Sequence, residues 1–161
     1  MSLRWWALVP ALAVAACSDR APERADGRSL ERSAVERGLA PAAGQAVSAG
    51  AYARGDDRLC LLAGEPMRIG AAVSVGDGGA CGARGTARLS GETLRIDFGE
   101  GCRFDAAAAN DRIRFPGALP AACARRCSGR ASFAGLDVER LSDAASEAAA
   151  QRDARGRPLC G

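Results

Sequence analysis

From Met67 the chain alternates. Met67, Ile69, Ala71, Val73 and Val75 are apolar, and Arg68, Gly70, Ala72 and Ser74 between them are polar or small. A period of two is the signature of a strand with one buried face. The same rhythm returns in ARLSGETLRIDF, residues 87–98. With Ser90-Gly91 as a two-residue loop, Leu89 faces Glu92. Leu94 then meets Ala87, Ile96 meets Gly85 and Phe98 meets Ala83 on one apolar face. Thr93–Arg88, Arg95–Thr86 and Asp97–Arg84 fill the other. A slip of one residue mixes the faces, so the pattern sets the register. A loop over Gly76 to Ala80 sets Val75 beside Cys81 and Ile69 beside Ala87.

Further runs follow, CRFDA (102–106) and DRIRF (111–115), with Phe104, Ile113 and Phe115 inward. RASFAGLDVERL (130–141) holds one or two more strands. Turn signals recur at Gly55-Asp56-Asp57, Gly64-Glu65-Pro66, Gly76 to Gly79, Gly99-Glu100-Gly101 and Ala109-Asn110-Asp111. Short strands at such spacing predict a mainly β fold, an antiparallel meander closed into a small barrel or packed as a sandwich. SDAASEAAAQRD (142–153) predicts a C-terminal helix capped by Ser142, with Asp143 in its first turn and Arg152 near its end. SLERSAVERGL (29–39) predicts a short helix capped by Ser29.

The chain opens differently. Arg4 precedes an apolar run from Trp5 to Ala16, too short for the stretch of about 20 residues that crosses a bilayer. It ends Val14-Ala15-Ala16-Cys17, with small residues where a signal peptidase cuts. This tetrapeptide resembles the lipobox of bacterial lipoproteins. The resemblance implies that residues 1–16 are a signal peptide and that Cys17 carries a thioether-linked diacylglycerol, usually with a third chain on its amine. Two or more acyl chains anchor stably. Ser18, where an Asp tends to retain a lipoprotein in the inner membrane, points to the periplasmic face of the outer membrane. Residues 17–50, rich in Ala, Gly, Pro, Ser and Arg, then read as a tether with a reach of about 30 Å if flexible. Residues 51–161 read as the folded domain.

Seven cysteines become six once Cys17 is acylated: Cys60, Cys81, Cys102, Cys123, Cys127 and Cys160. An even number in an exported chain predicts three disulfides. Cys81 and Cys102 lie on the same face of adjacent strands, and their pairing is the preferred one; the others stay open. PGALPAACARRCSG (116–129) predicts an irregular, cross-linked loop, and Cys160 pins the tail.

The net charge of +3 falls by one with Arg4 and is too weak to argue for nucleic acid. There is no His, which removes the usual general base and the commonest zinc ligand. CARRC (123–127) could make a thiol-redox or soft-metal site of Cys123 and Cys127, with Arg125 and Arg126 lowering a thiol pKa; two half-cystines in a loop is the plainer reading. GDGGACG (76–82) lacks the Lys and the following helix of a phosphate loop. Glu100 falls on the apolar face by strict alternation, and the kink at Gly99 and Gly101 is expected to turn it out. Arg84, Arg88, Arg95, Arg103, Arg112 and Arg114 form a basic face that Asp97, Asp105 and Asp111 are expected to balance.

YARGDDRLC, IRFPGALPAAC and GRASFAGLDVERLS resemble stretches of small cysteine-rich alphaproteobacterial lipoproteins with no assigned activity. That resemblance implies location and not chemistry. The expectation is a lipid-anchored, non-enzymatic binding or structural module of the envelope, with no cofactor or metal. The membrane through its anchor, and an envelope protein, are its expected partners. The alternatives are an inhibitor of lysozyme or another hydrolase, and the thiol or metal protein above.

Overall fold

The computed structural model describes residues 23–37, 47–76 and 78–160. Two units separate by contacts, Met1–Ala40 and Pro41–Gly161. In the first, helix α1 runs Glu23–Glu36. It starts earlier than the expected helix, so Ser29 lies inside it and does not cap it. Gly38 and Leu39 lie outside the described residues, as do Cys17 and the rest of the expected signal segment.

The second unit is a closed eight-stranded barrel of antiparallel neighbours. Its strands are β1 (Gly50–Arg54), β2 (Asp57–Leu62), β3 (Met67–Ser74), β4 (Ala80–Ser90), β5 (Thr93–Asp97), β6 (Arg103–Ala109), β7 (Arg112–Arg114) and β8 (Asp137–Ser142). A 3-10 turn, Ala121–Arg126, lies between β7 and β8. Helix α2, Ala145–Ala150, follows β8. The expected helix is thus shorter: Ser142 ends β8, where its hydroxyl accepts from the Ala144 N–H at 3.1 Å. The unit also begins before Ala51, since Val47 is buried in the core. Only one strand forms in residues 130–141, because Phe133 and Leu136 turn inward to plug the barrel instead of pairing.

Eight strands leave an interior just wide enough for side chains to fill. Tyr52, Leu59, Leu61, Ile69, Leu94, Ile96, Ile113 and Val138 fill it. Phe98, Phe104, Phe115 and Phe133 gather in it with ring centroids as close as 4.8 Å, the edge-on geometry that aromatic quadrupoles favour. Outward positions carry Arg54, Arg68, Arg95, Asp105 and Arg114, so this barrel turns a water-compatible face outward.

The faces of the hairpins are as the alternation predicts, but both registers differ by two. Leu89 pairs with Leu94 and Ala87 with Ile96, around a Gly91-Glu92 loop. The primed turns of two-residue hairpins need positive φ at the first loop position. Gly91 supplies it at φ +58°, whereas the expected loop would put Ser90 there. Ile69 likewise pairs with Gly85 and Val73 with Cys81. Val75 leaves the strand to open a loop that runs to Gly79, with the Val75 N–H donating to Gly79 O at 3.0 Å. A shift of two preserves every inward position, which is why the core is as expected. The β6–β7 turn follows its sequence signal: Asn110 and Asp111 both sit at positive φ, +53° and +59°, as a type I′ turn requires.

The seam between β1 and β8 joins the two ends of the meander. Asp137 organises it. Its carboxylate accepts from Arg112 at 2.6 and 2.9 Å, from Arg54 at 3.1 Å and from Arg114 at 3.3 Å, so one anion ties β1, β7 and β8. The hydrogen bond from Arg112, with the charges of Arg112, Arg54 and Arg114, outweighs desolvation and holds this carboxyl below its ordinary pKa. Behind the seam, Arg140 lies 5.8 Å over the Tyr52 ring and 2.5 Å from Asp111.

A second apolar layer covers the outside of β1–β3. Ala51, Cys60, Leu62 and Ala72 meet Ala148, Leu159 and Cys160 there. The tail crosses so closely that a Cβ on Gly70 would stand 2.0 Å from the Leu159 carbonyl oxygen. Gly70→Ala is expected to cost about 2 kcal/mol or more, because backbone must move. Gly91→Ala meets open space and is expected to cost about 1 kcal/mol from its φ alone. Urea unfolding of both variants checks the ranking.

Candidate binding cleft

All six expected half-cystines are paired. Cys60 bonds Cys160, Cys81 bonds Cys127 and Cys102 bonds Cys123. The expected Cys81–Cys102 bond is absent, and the reason is the register. β5 ends opposite Thr86, so the edge of β4 at Cys81 is open on that side. The segment after the 3-10 turn fills it with an isolated bridge, Cys81 to Cys127. Their Cα atoms are 3.9 Å apart. Cys102, at the foot of β6, meets Cys123 within the turn. Cys123 and Cys127 therefore bond different partners and hold no free thiol pair.

These cross-links shape a cleft of about 250 Å³ beside the start of β4. Its floor is Ala80, Cys81 and Gly82. One wall is the end of the 3-10 turn, with Arg125, Arg126, Cys127 and Ser128. The other is the tail loop from Asp153 to Arg157. Four guanidinium groups line it: Arg125, Arg126, Arg155 and Arg157.

Three of the four have a local partner. Arg125 donates to Glu100 O at 2.8 Å, and Arg126 to Phe98 O at 3.0 Å. Arg126 also lies 3.1 Å from the Glu100 carboxylate. Glu100 sits at φ +51° with its side chain exposed, turned out of the apolar face as its flanking glycines predict. Arg126 Nε is buried with no acceptor. Asp153 is half-buried, with its carboxylate turned away from solvent, and shapes the other wall. It accepts the Arg155 and Arg157 N–H groups at 2.9 Å each and the Arg157 guanidinium at 2.8 Å. The Arg155 side chain is exposed and has no partner among the described residues.

Other candidates resolve differently. Gly76 to Gly79 is a hairpin loop that leads into a strand, not a helix. On the basic face Arg95, Arg103, Arg112 and Arg114 pair with Asp105, Asp97 and Asp137. Asp111 pairs instead with Arg140. Arg84 and Arg88 keep no carboxylate partner among the described residues. A second cleft of about 580 Å³ lies at Pro66, Ala87, Ile96 and Phe104, and the ion pairs Arg95–Asp105 and Arg103–Asp97 neutralise much of its rim. Among the described residues no group of three or more His, Cys, Asp or Glu is placed to hold a metal.

Sequence reading found Arg125 and Arg126 but missed Asp153, Arg155 and Arg157, which fall where a helix end was expected. The signal was Gly156 before Arg157-Pro158: a Gly and a Pro so close mark a loop. Comparison of the chain with family models, with curated proteins and with solved structures gives no match.

Burial pushes the Asp153 carboxyl up, but the N–H of Arg157, its guanidinium and the N–H of Arg155 outweigh burial and hold it below its ordinary value. A lowered folded pKa contributes stability above the unfolded value, near 3.8, that disappears as pH falls through the folded value. Asp153→Ala is expected to lose about 1–2 kcal/mol at neutral pH, with loss of amide-exchange protection at Arg157, and progressively less as pH falls below 3.8. Denaturation midpoints across pH check this.

Proposed function

We propose that the chain is exported, acylated at Cys17, and works outside the cytosol as a non-catalytic binding module. The observation that carries this reading is the cysteine count. Every cysteine beyond Cys17 is consumed in a disulfide, so the odd one is the residue that the lipobox reading needs. Three disulfides suit an oxidising compartment such as the periplasm.

Two further observations support it. The barrel exterior carries Arg and Asp at its outward positions, and a membrane-spanning barrel needs an apolar band there. Attachment to a membrane therefore falls to an added lipid. The interior is filled by side chains, so recognition falls to the outside, where the arginine cleft gathers four arginines around one concave surface. Between anchor and barrel, the fourteen residues of α1 span about 21 Å.

Mass spectrometry of the N-terminus from purified envelopes tests the reading. The expected species begins at Cys17 and carries two or three acyl chains, and Cys17→Ala is expected to abolish both processing and acylation. A chain that keeps Met1, or that begins at an unmodified residue, contradicts it.

A further inference from the structure

We infer that the cleft between the 3-10 turn and the tail loop binds an oxyanion of phosphate type. This rests on reading the barrel as a binding module and names its ligand.

Charge accounting separates this cleft from the ion-paired part of the barrel wall. Arg54, Arg95, Arg103, Arg112, Arg114 and Arg140 each lie within ion-pair distance of an Asp or Glu. In the cleft the two carboxylates are already committed. Asp153 is spent on its own loop and on Arg157, and Glu100 on Arg126. Among the described residues Arg125 has only a carbonyl oxygen and the Arg155 side chain has no partner. Two positive charges are left lining one small space.

Like charges repel, so something must hold the two walls together. The cross-links do. Cys123 and Cys127 bracket Arg125 and Arg126, and Cys160 fixes the tail that carries Arg155 and Arg157. The site is thus organised before any ligand arrives, which lowers the entropic cost of binding. About 250 Å³ admits a phosphate group with part of its ester. Guanidinium forks match phosphate oxygens bidentately. A carboxylate offers its two oxygens to one side. A tetrahedral phosphate offers oxygens to both walls.

The test is an NMR titration of the disulfide-bonded protein at constant ionic strength. The probes are inorganic phosphate and glycerophosphoglycerol, the deacylated headgroup of an anionic lipid, with acetate and chloride as references. Saturable shifts are expected at Arg125 to Ser128 and Asp153 to Arg157. Arg155→Ala, whose side chain supports no other contact, is expected to weaken binding about tenfold, and Arg125→Ala with it further. Arg88→Ala, outside the cleft toward the other end of β4, is expected to leave it unchanged. Binding of both probes identifies a lipid headgroup as a fitting source; binding of phosphate alone identifies the free ion or a monoester. Either result upholds the oxyanion site. No saturable shift with either probe, acetate binding as tightly as phosphate, or an equal loss in Arg88→Ala overturns it. The two readings fail separately. A chain acylated at Cys17 that ignores both probes loses the ligand and keeps the module, whereas an unacylated chain that binds phosphate loses the anchor and keeps the cleft.

Discussion

Cys60 stands in β2 with its side chain on the outer face of the barrel, and its bond to Cys160 draws the end of the chain across that face. The bond closes 100 residues of sequence, for which chain entropy assigns about 4–5 kcal/mol of stabilisation. The pieces it holds are small: α2 offers the outer layer one buried residue, Ala148, and the tail offers Leu159. Such contacts alone bury little apolar surface, so the covalent bond fixes where the tail loop lies. The other two disulfides do the same for the 3-10 turn, which is bonded on either side of Arg125 and Arg126. The barrel is a packed scaffold, and the cross-links arrange what lies on it.

Where the sequence was legible, local rules sufficed. Alternation in Met67–Ser74 and in Ala87–Phe98 assigned faces, and faces survive a register shift of two. Asn110-Asp111 announced its turn because both residue types tolerate positive φ. The register of β4 with β5 was missed because the loop was centred one residue early, although Gly91 alone meets the φ of its first position. The disulfides were counted, but the one pairing preferred, Cys81 with Cys102, does not form. Their pairing depends on an edge of β4 that β5 leaves open and on a turn with no periodicity, and neither is a local property. The cleft was half legible for the same reason. Arg125 and Arg126 are adjacent in the chain, while Arg155 and Arg157 reach them only through Cys160.

The distribution of arginine follows from this division. On the barrel wall cross-strand neighbours are set by register, and Arg95 faces Asp105 as Asp97 faces Arg103. Opposite charges at such positions help the sheet, although Arg88 stands opposite Arg95 and keeps no carboxylate partner among the described residues. In the cleft the neighbours are set by sulfur, and the charges do not cancel. A filled interior leaves recognition to the outside, and the sulfur-bonded cleft gathers four arginines around one concave space.

The pairing of the cysteines is therefore what to measure. Trypsin places each of the six in its own peptide, since arginines separate all of them, Cys123 from Cys127 included. A map of the unreduced protein is expected to show three linked pairs: Cys60 with Cys160, Cys81 with Cys127 and Cys102 with Cys123. A peptide joining Cys81 to Cys102 or Cys123 to Cys127, or free thiols at these positions, would contradict both the walls of the cleft and the site between them.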